Sequence, residues 1–576
     1  MKASLCVMKA CERPALKSNL NSVTVHDNLR SIEDVMITDE YGTTLNSSIT
    51  FVRNTELQFL IVTSRNETFK KDKIYKMVVT YVGNINETPL SRGMFRGHYK
   101  DENGITRWYA ATHLQPTHSR QLFPSFDEPG FKSTFDIIVH RPPGFSQTFS
   151  NMNMKTNASS PIAGRVKETF ERTLRMSAYL ISIHISEGFK VIADNKNASK
   201  PYRVIARPTA SNQGQYALEV NPQMELEDQF IIMYLQSALS SDASINTRAL
   251  RHTVNTPAQV SGHFTGISYS KGASLLLMLK HFVTENTFKK ALNLFLKARA
   301  FQHASPEDLF EAFDNATAAD RTLPAGVDIT HFMKVWVDEP GYPVLNVSVD
   351  RVNGAIKLSQ ERYYTTVGPQ SNQTWPLPLT FTSGNQKNFN NLKVNHVMLN
   401  NTMEIRNESR DDYFIFNLKQ KGIYRVNYDI DNWNHIREDL LKDHTTIHHL
   451  NRAQIVDDIF AFMQSKRLNY RVGFNVLRFL KNDTSYYSWY PAVTGFNRIR
   501  NSMVHSPSAL EEYDKILYTY LEAVISDVGY DVHPDETLTK TLNRLLILAF
   551  ACNIGHPGCV GNAVQKFRAL VDNNVA

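Results

Sequence analysis

Phe123-Pro124-Ser125-Phe126-Asp127-Glu128-Pro129-Gly130-Phe131-Lys132 and, further on, Ile267-Ser268-Tyr269-Ser270-Lys271-Gly272-Ala273-Ser274 are the stretches whose setting decides the fold. The first lies in a β-patterned region. From about Ser22 to Arg207, β-branched and aromatic runs such as Ile74-Tyr75-Lys76-Met77-Val78-Val79-Thr80-Tyr81 and Phe135-Asp136-Ile137-Ile138-Val139 alternate with turn residues. Helical amphipathicity is scarce there, so residues 22–207 are expected to form a saddle-shaped or sandwich-like β domain that Ala206-Arg207-Pro208 closes. The second stretch opens a helix. Leu275, Leu276, Met278, Leu279 and Phe282 recur at helical spacing, and Ser305-Pro306-Glu307-Asp308 reads as a cap and first turn. Gly341-Tyr342-Pro343-Val344 then starts a second β region that reaches about Tyr428. Beyond it the pattern is helical, as in the stripe Ile516, Leu517, Tyr520, Leu521 and Val524.

At 576 residues the chain is too long for one core, and several domains are expected. A hydrophobic content of 42% and a charged content of 21% are those of an ordinary globular protein. The net charge of +7 is spread along the sequence, with few runs beyond Lys70-Lys71. A nucleic-acid binder concentrates its basic residues on one face or stripe, so no nucleic-acid partner is expected.

The four cysteines fall into two close pairs, Cys6 with Cys11 and Cys552 with Cys559, too few for a disulfide scaffold. Gly555, Pro557 and Gly558 between the second pair allow a tight reversal. A disulfide there would contribute about 2–3 kcal/mol, while a zinc knuckle would need two more ligands where only His556 offers itself. Sequons are headed by Asn46, Asn66, Asn86, Asn157, Asn197, Asn315, Asn346, Asn372, Asn400, Asn407 and Asn482, pointing to an ancestor in the secretory pathway. The N-terminal residues disagree, because Lys9, Glu12 and Arg13 interrupt the apolar Leu5-Cys6-Val7-Met8. No apolar run is long enough to span a bilayer and no lipid-anchor tail is evident, so the chain as given would stay in the cytoplasm.

The order β, helical, β, helical array, and the motifs along it, resemble the aminopeptidase N family of gluzincin-type zinc metallopeptidases. The resemblance rests on the two opening stretches, on Val335-Trp336 leading into Pro340-Gly341-Tyr342-Pro343-Val344, and on Gly422-Ile423-Tyr424-Arg425-Val426-Asn427-Tyr428-Asp429 with Asn432-Trp433. Asn451-Arg452-Ala453-Gln454-Ile455-Val456-Asp457-Asp458, Trp489-Tyr490-Pro491-Ala492 and the Cys552/Cys559 loop complete it. It implies an unassigned segment 1–21, an N-terminal β domain 22–207, an incomplete thermolysin-like catalytic domain 208–338, a small β-sandwich 339–428 and a truncated array of helical hairpins 429–576. Such proteins are typically anchored at the plasma membrane or extracellular, and they remove N-terminal residues from peptides using zinc.

The family also carries G-A-M-E-N, H-E-x-x-H and a further glutamate ligand between the two opening stretches. None of these is here, and no His-Glu dipeptide occurs in the chain. Gln215-Tyr216-Ala217-Leu218-Glu219-Val220 resembles the strand that opens the catalytic domain. Glu225-Leu226-Glu227-Asp228-Gln229-Phe230 resembles a segment well beyond the third ligand. The junction therefore falls at 221–224, and so clean a loss suits exon skipping or a faulty gene model. In the family, zinc lowers the pKa of its bound water from 15.7 towards about 7 and the motif's glutamate takes the proton. The nearest spacing here is His444 with His448 and His449, which lacks a glutamate between them and reads as an exposed interhelical connection. No zinc is expected to bind.

Two positions match family site residues. Tyr269 corresponds to the tyrosine whose hydroxyl stabilises the oxyanion, with an ordinary buried tyrosine as the alternative. Gln115 corresponds to the glutamine that accepts from the substrate's α-ammonium, with a solvated loop glutamine as the alternative. Both are expected to be vestigial. The resemblance thus implies a parent peptidase activity and an inactive chain, a pseudoenzyme. The alternatives are a non-catalytic binding or scaffold glycoprotein, or a mis-splicing product. Leu275, Leu276, Met278, Leu279 and Phe282 are expected to lose apolar cover with the missing block, making Met224–Trp336 the weakest region.

Overall fold

A computed structural model describes all residues except 1, 10–19, 46–48, 67, 72, 88–91, 147, 196–201, 214–224, 367, 370, 395, 407–411 and 573–576. The junction at 221–224, the 215–220 segment, Cys11, Asn46, Asn197 and Asn407 therefore lie outside the described residues. Contacts divide the chain into two compact units: Met1–Val220 with Asn255–Ser261 and Arg299–Ala304, and Asn221–Val254 with Gly262–Ala298 and Ser305–Ala576.

The first unit is β-rich. Strands Lys2–Lys9, Lys76–Val82 and Ser31–Thr38 form one antiparallel sheet, and Ser22–His26, Phe59–Ser64 and Ile49–Asn54 another. Strand alternation explains the core: Leu60, Val62 and Ser64 turn inward while Phe59, Ile61 and Thr63 are half-exposed. Leu60 and Val62 pack in a cluster with Val25, Ile37, Val79, Tyr81 and Phe123. A four-stranded sheet, in the order Phe149–Ser150, Ile183–Ser186, Thr106–His113, Gly93–Lys100, carries the loop that bears Gln115. The segment 1–21, which the sequence left unassigned, contributes a strand. Its run Leu5-Cys6-Val7-Met8 lies within Lys2–Lys9, which pairs with Lys76–Val82.

The second unit holds the helices Leu226–Phe230 to Gln236–Asp242, Gly272–Val283, Glu285–Ala298, Pro306–Asp320 and Ile329–Asp338. Ser305 caps the fourth of these reciprocally with Asp308, with Pro306 in its first turn. A sheet follows in the order Thr402–Ile405, Ala355–Arg362, Pro343–Asp350, Arg425–Tyr428, the last pair parallel. Helices from Ile430–Asp443 to Pro557–Asp572 then form the array.

One hydrophobic cluster runs through this unit, from Leu235 and Leu279 through Trp336 and Trp375 to Trp433 and Trp489. The expected loss of cover is corrected by this packing. Leu275, Met278, Leu279 and Phe282 are all at most 4% exposed, and only Leu276 is open, at 40%. The apolar stripe is buried by retained elements, for example Phe282 against Phe332 at 5.0 Å, so its burial does not depend on the absent block. In the array, Leu517, Tyr520, Leu521 and Val524 are buried and Ile516 faces solvent.

Candidate functional site

Gln115 follows strand Thr106–His113 at a cis Gln115–Pro116 bond, and its side chain is exposed. The loop beyond it is pinned from within by the Phe123–Lys132 stretch. Asp127, whose side chain is fully buried, accepts from Ser119 Oγ and from Arg120 Nε at 2.7 Å. Its backbone N–H donates to His26 Nδ1 at 3.2 Å, and His26 pairs with Ser125. Burial, then the Arg120 charge, holds His26 below its ordinary pKa and so keeps it a neutral acceptor. The chemical content of this stretch is therefore structural: it fixes the turn at whose rim Gln115 stands.

Tyr269 lies in the π-helical turn Ile267–Lys271 that leads into Gly272–Val283. Ile267 and Lys271 point inward. Lys271 Nζ is fully buried, 2.8 Å from Asp242 Oδ2, and donates to the Gly341 carbonyl at 2.9 Å. Burial lowers the Lys271 pKa and Asp242 opposes that shift. On the other side, Arg248 Nη2 donates to the His263 carbonyl at 3.0 Å, Thr265 Oγ1 at 2.9 Å and Ser268 Oγ at 3.1 Å. With its neighbours held, Tyr269 turns outward at 59% exposure, its ring 6.1 Å from Phe264. At that exposure it is not an ordinary buried tyrosine. The Lys271–Asp242 pair was missed in the sequence, although Lys271 stands in the opening motif. Gln115 belongs to the first unit and Tyr269 to the second.

The three histidines are not an exposed connection, because partners on neighbouring elements cover them. His449 Nε2 lies 2.7 Å from Asp228 Oδ2, and His444 Nε2 lies 3.9 Å from Asp483 Oδ1. His448 accepts from Leu450 N at 3.2 Å, its ring 4.2 Å from that of His449. Burial, then His449, lowers the His448 pKa to about 4. Each imidazole answers a different partner, and among the described residues no three His, Cys, Asp or Glu side chains converge to hold a metal ion. These three histidines do not form a zinc donor set. Cys552 and Cys559 are joined by a disulfide with Cα atoms 5.3 Å apart, between helices Leu538–Asn553 and Pro557–Asp572.

A β-rich N-terminal unit followed by helices, a small sandwich and a helical array is the architecture of a multidomain peptidase. Residues 11–180 match the Peptidase M1 N-terminal domain, 211–336 the Peptidase family M1 domain and 413–576 the ERAP1-like C-terminal domain. The chain belongs to the M1 family, on its aminopeptidase N branch. It is 30% identical to the membrane alanyl aminopeptidase of Manduca sexta, over 96% of this chain and 67% of that protein. It is 28% identical to the membrane alanyl aminopeptidase of Heliothis virescens, over 83% and 59% of the two chains. With the glutamyl aminopeptidase of Sus scrofa it shares 24% identity over 87% and 63%. The chain thus spans roughly three-fifths to two-thirds of the length of these relatives. Among the described residues no single helix is long and apolar enough to cross a membrane.

Proposed function

We propose that this chain, as it stands, is a non-hydrolysing member of its family, whose parent activity is release of N-terminal residues from peptides by a zinc aminopeptidase. One observation carries the reading. Only residues 221–224 separate the sequence Gln215–Val220 from Glu225–Phe230, where the family holds G-A-M-E-N, H-E-x-x-H and the third ligand. The alignment to the Manduca sexta protein supports it. That alignment runs over 674 positions, more than the 576 residues of this chain, so the relative carries stretches with no counterpart here. Without that ligand set the family's own route to hydroxide near neutral pH is missing. Tyr269 and Gln115 are then remnants of an oxyanion donor and of an α-ammonium acceptor. One neutral amide is a weak substitute for the charge-assisted bonds that hold an ammonium.

A second reading, a non-catalytic binding or scaffold glycoprotein, is supported by the burial of Leu275, Met278, Leu279 and Phe282 by retained elements, which keeps this region packed without the missing block. Steady-state hydrolysis of alanyl and glutamyl amides by purified residues 1–576 tests the proposal. The expected result is no turnover above the uncatalysed rate, with or without added zinc. Chelator-sensitive turnover overturns it.

A further inference from the structure

The sheet of the small sandwich has one face buried in the core and one face open. Along Pro343–Asp350, Val347 is 2% exposed, while Asn346 is half-buried and Ser348 exposed. Strand periodicity puts residues i and i+2 on the same side, so both the amide and the hydroxyl of the sequon Asn346-Val347-Ser348 point outward. Register places Asn346 opposite Asn427 on one side and Ser359 on the other, and Ser359 opposite Thr402. A row of two amides and two hydroxyls therefore crosses four strands, about 14 Å at the usual strand spacing. The next row is Ser348, Lys357 and Glu404. Together these rows line an open groove of about 690 Å³.

The lining combines these hydroxyls and amides with the charged Lys357, Glu404 and Asp429 and with the apolar Val347, Leu358 and Met403. A sugar, whose hydroxyl rim accepts and donates hydrogen bonds while its C–H faces meet apolar groups, suits this mixed lining. The sequon fixes where such a ligand would be tethered. We propose that Asn346 carries an N-linked glycan and that its first sugars lie along this sheet face. In the modification, Asn346 Nδ2 forms a bond to the anomeric carbon of a lipid-diphosphate-linked oligosaccharide. The bond from that carbon to the diphosphate oxygen breaks, the amide loses one proton and the lipid diphosphate leaves. Asn346 now accepts from Asn427 Nδ2 at 3.3 Å and donates to Glu361 at 3.4 Å. A glycosylated amide keeps its carbonyl and one N–H, the kinds of acceptor and donor that these two bonds use. Asn157 and Asn482 are exposed sequons outside this groove's lining, which makes them internal references. The inference does not depend on whether the chain hydrolyses peptides.

The test expresses the full chain behind a secretion leader in insect cells and maps each sequon by mass spectrometry. Release by a peptide N-glycanase is then compared on native and denatured protein. The expected result is an occupied Asn346 whose glycan is released from native protein about tenfold more slowly than those at the reference sites, equivalent to about 1.4 kcal/mol of sequestration. Ser359→Ala with Glu404→Ala, both on the open face and outside any sequon, should bring native release up to the reference rate while leaving the fold unchanged. An unmodified Asn346, equal release from native and denatured protein, or slow release that persists in the double variant overturns the proposal.

Discussion

Arg425→Met is expected to be among the most damaging single substitutions in this protein, at about 3–5 kcal/mol, the usual cost of stranding a buried charge. Arg425 closes the Gly422-Ile423-Tyr424-Arg425 motif, and its side chain is 3% exposed. Nη1 donates to Asp457 Oδ2 at 2.6 Å and Asp458 Oδ1 at 2.8 Å, and Nε to Tyr342 Oη at 3.1 Å. Asp458 Oδ2 also accepts from Val426 N at 3.0 Å, so this carboxylate ties helix His449–Gln464 to strand Arg425–Tyr428. Burial pushes the Asp458 carboxyl up to about 7 against the pull of Arg425. With the guanidinium gone, that pull vanishes and the folded pKa moves further above the unfolded value of about 3.9. A raised acid favours the fold at low pH and disfavours it as pH rises, so the deficit of the variant should widen from pH 5 to pH 8. Adding Asp458→Asn should return at least about 1–2 kcal/mol by removing the stranded charge. Denaturant unfolding of the four members of the cycle reads this directly. A loss under about 1 kcal/mol, well below the expected range, or a double variant no better than Arg425→Met alone, would refute the reasoning.

Replacing Cys552 and Cys559 by serine should cost about 2–3 kcal/mol through the freed loop, measured by thermal unfolding with and without reductant, the reductant acting only on the parent. His448, held at about 4 mainly by burial and then by His449, is neutral in the fold and titrates near 6.5 when unfolded. Its contribution is therefore complete above about 6.5 and lost as pH falls towards 4, and His448→Gln should flatten the acid limb of a stability–pH curve. Leu279→Ala, at a position with no exposure, should cost about 2–5 kcal/mol in the same denaturant assay, whereas Leu276→Ala should cost far less.

What the sequence made legible was order. The motif series announced the alternation of β and helical regions, and Ser305-Pro306-Glu307-Asp308 declared a helix start that the capping bonds reproduce. Period, however, reports which face of a helix is apolar and not which element covers it. That is why Leu275, Met278, Leu279 and Phe282 read as bereft when retained helices bury them. Pairing across distance was equally silent. Arg425 and Asp458 stood in two recognised motifs, yet nothing local says that they meet, nor that Lys271 finds Asp242. Tyr269 and Gln115 were legible as positions, but outward exposure depends on neighbours such as Arg248 and Asp127 that fix their turns. The polar row of Asn427, Asn346, Ser359 and Thr402 exists only once register is set, because a one-residue slip would turn its members inward.

The central claim, that this chain has no zinc site, is tested most directly by counting metal. Purified residues 1–576, equilibrated with micromolar zinc and freed of unbound ion, should retain far less than one zinc per chain by elemental mass spectrometry. One zinc held per chain through that treatment, and removed only by a strong chelator, would contradict the account.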